Sequence, residues 1–395
     1  MRILIANEAR QGAGGVETYL ASLVPHLEAR GHAVALLYGN PSGETGPTRI
    51  VANDTWSVAD EGLERAFGAA GAWRPDVCFS HNMRRLDIEA RLVAAWPTVK
   101  MMHGYFGACL SGHKAFAFPS LDPCERVCGA GCLAYFLPRR CGRLRPGVMI
   151  EQYAWAKRQQ ALFPGYKAVV VASDHMKREF ARYDGLASRL HAIPLFTEGP
   201  APAAAARDLD VVFLGRLTPL KGADLLLDAL DDCGRALGRP VRALIGGEGP
   251  LRPAMTAKSA RLRASGTVDA DIPGWIDRVQ RDDALARAQV LALPSRWPEP
   301  FGLVGLEAAR FGVPAVAFDV GGIRAWLEDG RNGILVPPSD GARAFGETLA
   351  LVLRDRTRRE ALSERATAAS AHFTAEAHVS ALERVLHECR TSGIS

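Results

Sequence analysis

The sequence predicts an α/β protein built from two facing, doubly wound, Rossmann-like domains with a cleft between them. Three observations carry that expectation. At 395 residues the chain is longer than one hydrophobic core ordinarily holds. Strand and helix signals alternate in two separate series, the mark of parallel sheets covered on both faces. Between the series lies FTEGPAPAAAA, a stretch of proline, glycine and alanine without periodicity, which reads as a linker.

The first series opens on Arg2 to Ala6 (RILIA), a short apolar strand, followed by a glycine turn from Gly12 to Gly15. From Val16 to Arg30 apolar residues recur at helical spacing, at Val16, Tyr19, Leu20, Leu23 and Leu27, and Gly31 stops the helix. Ala33 to Leu37 (AVALL) is the next strand. Strand, turn, helix, strand is a βαβ unit, which implies a right-handed crossover and a parallel sheet. Val77 to Ser80, Thr98 to Met102 and Ala168 to Ala172 read as further strands. In the second series strands are expected at Val211 to Leu214, Arg242 to Ile245, Val290 to Leu293, Ala315 to Phe318 and Ile334 to Val336. Helices are expected at Ala223 to Leu230 and Leu303 to Arg310, and the charged stretch from Ala342 to His387 reads as helical. The expected division is a first domain over 1–196, a linker over 197–207, a second domain over 208–370, and a last helix, 371–395, free to return to the first domain.

Hydrophobic residues make up 48% and charged residues 23%, a globular balance. There is no run of about 18 apolar residues, so no membrane-spanning helix is expected. The apolar stretch at the N-terminus is too short for a signal-peptide core, which points to a cytoplasmic protein. A formal charge of +5 is far from the extreme of nucleic-acid-binding proteins, and no nucleic-acid partner is expected. Basic residues thicken locally at Arg139, Arg140, Arg143, Arg145, Lys157 and Arg158. That cluster is either a solvated face or a surface for an anionic membrane, at its inner face, or for a phosphorylated acceptor.

Four constellations carry chemistry. Glu299 and Glu307 stand eight residues apart around Pro300-Phe301-Gly302-Leu303-Val304-Gly305-Leu306, after a strand ending at Pro294-Ser295. That places Glu307 in a helix and Glu299 in the loop before it. The helix start offers free N–H groups to a diphosphate, Gly302 lets a ligand approach the backbone, and the carboxylates can accept sugar hydroxyls. Gly215-Arg216-Leu217-Thr218-Pro219-Leu220-Lys221-Gly222 follows a strand directly, and its two cations can neutralise charge growing on a leaving diphosphate. Gly12-Ala13-Gly14-Gly15-Val16-Glu17 places the backbone of Gly14 and Gly15 where a phosphate or sugar can pass, or is simply a tight turn. His103 follows a strand whose carboxyl end would face a crevice. Asp269-Ala270-Asp271 has a metal-binding form but no matching context, and reads as a loop.

Taken in order, six pieces resemble the family 4 retaining glycosyltransferases of the GT-B fold. They are GAGGVETYLASLVPHLEARGHAV, VASDHMKREF, FLGRLTPLKGADLLLDAL, LIGGEGP, LPSRWPEPFGLVGLEAARFGVPAVAFDVGGI and DGRNGILVPP. The resemblance spans nearly the whole chain and is thinnest between Phe106 and Gln160. It implies a nucleotide-sugar donor, with uridine or guanosine diphosphate as the carrier, and a glycan or lipid-linked acceptor such as a cell-surface polysaccharide precursor. It further implies that Arg216 and Lys221 hold the diphosphate and that Glu299 meets the sugar hydroxyls. Phe301, Gly302, Leu303 and Val304 would contribute backbone, and Glu307 would bind the ribose. Gly14, Gly15, Gly215 and Gly247 would line the donor, Gly274 and Trp275 would neighbour the base, and His103 would sit near the reacting carbon. No catalytic metal is implied, and the transfer would proceed on the front face. Two departures stand out: Gly104 follows the histidine where many members carry Asp, and Gly321-Gly322 is followed by Ile323-Arg324-Ala325 where a Glu is common.

Five cysteines crowd one segment, about 105–150, which reads as an insert on the acceptor side. Cys124, Cys128, Cys132 and Cys141 follow C-x3-C-x3-C-x8-C, which departs from the two-residue spacing of zinc fingers. A structural zinc site on these four, free thiols with Cys109, or a disulfide all remain open. So do other activities on the same fold: a phosphorylase, an epimerase, or a non-catalytic nucleotide-sugar binder.

Overall fold

The computed structural model describes residues 1–12, 14–199 and 206–391. Ala13 and most of the expected linker lie outside the described residues. The chain divides into two compact units. One holds Met1–Lys114, Glu125–Pro194 and the segment from Ala375; the other holds Ala115–Cys124 and Leu195–Thr374.

The first unit is built on seven parallel strands: β1 (Arg2–Asn7), β2 (Ala33–Tyr38), β3 (Asp54–Ser57), β4 (Val77–Ser80), β5 (Thr98–Met102), β6 (Ala168–Val171) and β7 (Leu190–Ala192). Their spatial order is β3-β2-β1-β4-β5-β6-β7. The sheet winds outward in both directions from β1. Nearly every residue of β1, β2, β4 and β5 is buried, as expected of strands covered on both faces. On one face Leu4, Ala35, Leu37, Ile88 and Leu92 form a core against which Trp56, Trp73 and Trp96 pack. The Gly15–Ala29 helix buries Tyr19, Leu20, Leu23, Val24 and Leu27, the stripe expected from its spacing. The Asp174–Phe180 helix starts where the Ser173 hydroxyl accepts the Met176 amide.

The helix Ala375–Thr391 belongs to this unit. Its Glu383 accepts from Arg30 at 2.5 Å and pairs with His32 at 2.6 Å. His378 bonds the Tyr19 hydroxyl at 2.8 Å through Nε2 and the Pro194 carbonyl at 2.7 Å through Nδ1. A carbonyl can only accept, so Nδ1 carries the proton and Nε2 receives the tyrosine's. Burial pushes the His378 pKa down to about 4.

The second unit has six parallel strands: β8 (Leu209–Leu214), β9 (Val241–Gly246), β10 (Val268–Gly274), β11 (Ala288–Leu293), β12 (Ala315–Phe318) and β13 (Gly333–Val336). Their order is β10-β9-β8-β11-β12-β13, again wound outward from the first strand. Both units are therefore Rossmann-like α/β layers, as the alternating signals predict. The Ala223–Leu237 and Gly341–Arg354 helices approach closely at Gly346, where a Cβ would stand 2.2 Å from the Ala229 carbonyl oxygen. A capping box from Asp277 and Gln280 starts the Arg278–Arg287 helix.

Asp269 to Asp271 lie in β10 rather than in a loop. The strand alternates buried and exposed residues at the sheet edge, so both aspartates point outward, and Asp269 accepts from Arg263 at 2.7 Å. β3 was not anticipated: DTWS is short and polar at three of its four positions, the composition of an edge strand.

Candidate functional site

In a doubly wound sheet, ligands gather at the carboxyl ends of strands where the order reverses. In the second unit that point lies between β8 and β11, and the two strongest sequence constellations follow those two strands. The turn after β8 holds Lys221, and the loop after β11 holds Glu299. The structure joins them: Lys221 Nζ lies 2.6 Å from Glu299 Oε1, and the Ser295 hydroxyl donates to the same oxygen at 2.6 Å. Glu299 is buried. Its Oε2 has no protein donor among the described residues.

Several close backbone approaches hold this pair. Gly222 has φ 73°, and a Cβ there would stand 1.9 Å from the Pro294 oxygen. The Arg296 amide donates to the Leu220 carbonyl at 2.9 Å. The Gly322 amide donates to the Glu299 carbonyl at 2.6 Å. Gly321, at φ 60°, leaves no room for a Cβ against the Glu299 backbone. The Gly-Gly pair that departs from the family pattern downstream thus still seats Glu299.

The tips of three strands are laced together beside it. The Gly215 amide donates to the Gly246 carbonyl at 3.0 Å, and the Gly247 amide donates to the Gly274 carbonyl at 2.7 Å. A Cβ on Gly247 would fall 1.9 Å from the Gly215 oxygen. Trp275, next along, is 54% exposed, which leaves an aromatic face at the rim. Arg216 is exposed, with no ion pair or side-chain hydrogen bond among the described residues. Among the described residues no hydrogen bond or ion pair ties its side chain to the Lys221–Glu299 pair.

The helix after Glu299 runs Leu303–Arg310, with Gly302 at φ 82° before it. In its first turn the Gly305 amide donates to the Gly302 carbonyl at 2.9 Å, while the Leu303 and Val304 amides have no acceptor within the helix. Phe301 is buried, and its carbonyl accepts the Trp326 indole N–H at 2.7 Å. Glu307 Oε1 accepts from Arg281 at 2.6 Å, and Oε2 has no protein donor among the described residues. Burial raises the Glu307 pKa against the lowering pull of Arg281.

In the first unit the corresponding reversal lies between β1 and β4. Asn7, at the end of β1, donates to Glu17 at 3.3 Å and accepts from the Asn82 amide at 3.2 Å. Gly14 and Gly15 open the first helix, with Thr18 donating to the Gly14 carbonyl. His103 follows β5, and its Nε2 lies 3.0 Å from Nδ1 of His81, which follows β4. The Tyr19 ring stands edge-on to His103, with centroids 5.6 Å apart. Burial, with the nearby Lys100 cation, lowers the His103 pKa to about 3. His81 is held well below the ordinary histidine range by burial and by both His103 and Lys100. Both rings are therefore neutral at physiological pH.

The His81 Nε2 is sealed from the surface and has no hydrogen-bond partner among the described residues. A buried lone pair without a donor costs less than a buried N–H without an acceptor, so His81 carries its proton on Nδ1 and donates to His103. His103 is then protonated on Nδ1, the nitrogen not spent on protein. Beneath the pair, Lys100 lies 3.0 Å from Glu89, with Ser80 and Tyr166 completing a buried, satisfied network. Sequence reasoning missed His81, although it stands at a strand's carboxyl end just as His103 does.

Among the described residues no group of three or more His, Cys, Asp or Glu is arranged to hold a metal ion. Cys128 is buried, while Cys132 lies in the first turn of the Gly131–Phe136 helix and Cys141 lies beyond its end. Cys128 and Cys132 interact as thiols: the Cys128 hydrogen bond, the Gly129 amide and the Arg126 and Lys114 cations lower Cys132 below the ordinary cysteine range.

Two family models meet this chain end to end. "Glycosyltransferase Family 4" matches residues 13–197, and "Glycosyl transferases group 1" matches residues 200–369. The D-inositol 3-phosphate glycosyltransferase of Streptomyces scabiei is 36% identical over 368 residues, covering 85% of this chain and 78% of the relative. The chain belongs to the family 4 glycosyltransferases. The alpha-D-kanosaminyltransferase of Streptomyces kanamyceticus is 28% identical over 329 residues, covering 77% of this glycosyltransferase and 79% of its own length. HepE of Anabaena, solved in complex with UDP and glucose, superposes with a TM-score of 0.69 at 19% identity, covering 98% and 100% of the two chains. Sucrose-phosphate synthase from Thermosynechococcus elongatus superposes at 0.71 and 19% identity, with full coverage of both chains. These likenesses establish the GT-B fold. With membership of a transferase family, the phosphorylase, epimerase and binding-protein alternatives give way to a glycosyltransferase.

Proposed function

We propose that this glycosyltransferase moves a hexose from a uridine or guanosine diphosphate donor to a cell-surface glycan or lipid-linked acceptor, retaining the anomeric configuration. The observation that carries the reading is the Lys221–Glu299 pair at the strand reversal of the second sheet, set beside laced glycine tips and a helix start. Lys221 and the unpaired Arg216 hold the donor diphosphate and take up charge as it leaves. The amides of Phe301 to Val304 reach sugar and phosphate, and Gly215 and Gly247 let the donor lie against backbone. Glu299 Oε2 accepts a sugar hydroxyl and Glu307 Oε2 a ribose hydroxyl. Gly274 and Trp275 border the base. In the first unit, Gly14 and Gly15 offer backbone to a phosphate and His103 presents an Nδ1 proton to a sugar hydroxyl. The relatives solved with UDP, HepE among them, favour a uridine donor.

In a front-face transfer the bond from the anomeric carbon to the diphosphate breaks as the acceptor oxygen attaches on the same face. The acceptor's proton passes to the departing diphosphate. The enzyme supplies position and fixed positive charge. Arg216 and Lys221 provide that charge, so transfer should persist in EDTA. The test is incubation with a panel of nucleotide sugars and acceptors, with product configuration read by NMR. Inverted product, or loss of transfer on chelation, would overturn the mechanism.

The acceptor reading includes the inner face of a membrane. No helix of the described residues is long and apolar enough to cross one. In and just before the Pro146–Ala161 helix, the exposed Arg143, Arg145, Lys157 and Arg158 have no ion pair among the described residues, and Leu144 and Ile150 are 56% and 60% exposed. Unpaired cations around exposed apolar side chains suit anionic lipid. Sedimentation with anionic vesicles should weaken as salt rises, and salt-independent binding would count against it.

A further inference from the structure

A hollow beside His103 in the first unit contains a cation that the proposed donor chemistry does not use. His81, Arg84, Lys100, His103, Phe106 and Trp155 are among its lining residues. The two histidines are neutral, and Lys100 is committed to Glu89. Arg84 differs. Its guanidinium lies over the Phe106 ring at 4.3 Å and over the Trp155 ring at 5.3 Å. Those rings meet edge to face, 5.9 Å apart. The Trp155 indole N–H donates to the Arg84 carbonyl at 2.9 Å, which fixes the indole against the arginine's own backbone. Glu8, the neighbouring carboxylate, accepts the backbone amides of Arg84 and Arg85. No carboxylate pairs with the guanidinium itself, and none of its N–H groups has a protein acceptor among the described residues.

Neighbouring surface arginines are paired, Arg85 with Asp87 and Arg91 with Glu64. Arg84 is held in place by aromatic faces that leave its hydrogen-bonding edge open. A planar guanidinium with two or more free N–H groups matches a phosphate bidentately. An aromatic ring beside it suits the apolar face of a sugar or polyol.

We propose that Arg84, positioned by Phe106 and Trp155, binds a phosphate group on the acceptor. The acceptor class is then a phosphorylated sugar or polyol, or the same headgroup carried on a lipid. The inference rests on the glycosyltransferase reading and assigns the acceptor's chemistry within it. Phosphate sets the acceptor's position next to His103, and the neutral histidine pair avoids adding charge at the reacting hydroxyl.

The test uses the full-length enzyme and intrinsic tryptophan fluorescence, with Trp155 lying against the site. Inositol, D-inositol 3-phosphate and a soluble short-chain phosphatidylinositol serve as probes. The phosphate monoester should bind at least about ten-fold more tightly than inositol. Arg84→Gln should remove that preference, and Arg84→Lys should restore part of it. Binding of both phosphorylated probes assigns a lipid-compatible site, and binding of the monoester alone assigns a soluble sugar phosphate. Equal binding of inositol and its phosphate by the wild type, or an unchanged preference in Arg84→Gln, overturns the proposal. UDP-induced thermal stabilisation of the same variants is followed in parallel. Loss of UDP binding in the wild type would strike the donor reading, whereas loss of phosphate preference alone strikes only the assignment of Arg84.

Discussion

Replacing Lys221 by alanine separates what the Lys221–Glu299 contact does for stability from what it does for transfer. At 2.6 Å and an effective dielectric of about 20, the attraction is about 6 kcal/mol before desolvation. Burying the carboxylate offsets most of that. The Lys221 side chain keeps 21% of its surface in solvent, so the net loss on truncation should be about 1–3 kcal/mol. That corresponds to a melting temperature lower by roughly 2–8 °C. Transfer should fall about 100-fold or more, because the leaving diphosphate loses a fixed cation. Glu299→Gln in the Lys221→Ala background removes the stranded carboxylate, so stability should recover while transfer stays low. Single-turnover transfer from the best donor of the panel, together with thermal melts, reads both effects. Recovery of transfer alongside stability in the double variant would refute a direct role for Lys221, as would wild-type turnover in the single variant.

Other outcomes follow from the first unit. His103 and His378 have pKa values of about 3 and about 4 in the fold, against about 6.5 in an unfolded chain. Between those limits the unfolded chain binds more protons, so stability rises with pH and is lost as pH falls from about 6.5 toward 4, by up to about 1.4 kcal/mol per unit for each group. Melting curves between pH 7 and pH 4 should show that slope, His103→Gln should reduce it, and a flat profile would contradict the burial argument. His81→Leu should lower kcat roughly ten- to a hundred-fold with little change in donor KM, and His81→Asn, which can present an amide N–H to His103, should recover part of the loss. Equal effects of the two substitutions would mean that His81 only fills space. At pH 7 iodoacetamide should alkylate Cys132 before the buried Cys128, and mass spectrometry of the first adduct reads the order.

The sequence exposed what depends on local pattern. The strand and helix at the start, and the Glu299 to Glu307 element, are short-range signals, and the structure places them close to the expected bounds. It could not expose what depends on strand order. Lys221 and Glu299 are 78 residues apart, and His81 and His103 are 22 apart. They meet because β8 neighbours β11 and β4 neighbours β5. Arg84 was invisible for the same reason: only folding brings Phe106 and Trp155 around it. β10 was hidden by its own composition, since VDADIPG has the aspartate, proline and glycine of a turn yet pairs along one edge of β9.

The helix Ala375–Thr391 has a consequence for biosynthesis. It supplies His378 to Tyr19 and Glu383 to Arg30 and His32, so the first half of the polypeptide lacks part of its own scaffold until the second half has been translated. A nascent chain stalled before residue 375 should hold a finished downstream sheet and an upstream one still missing a wall. A fragment ending at Pro194 should accordingly need a synthetic 375–391 peptide, added in trans, to become resistant to protease.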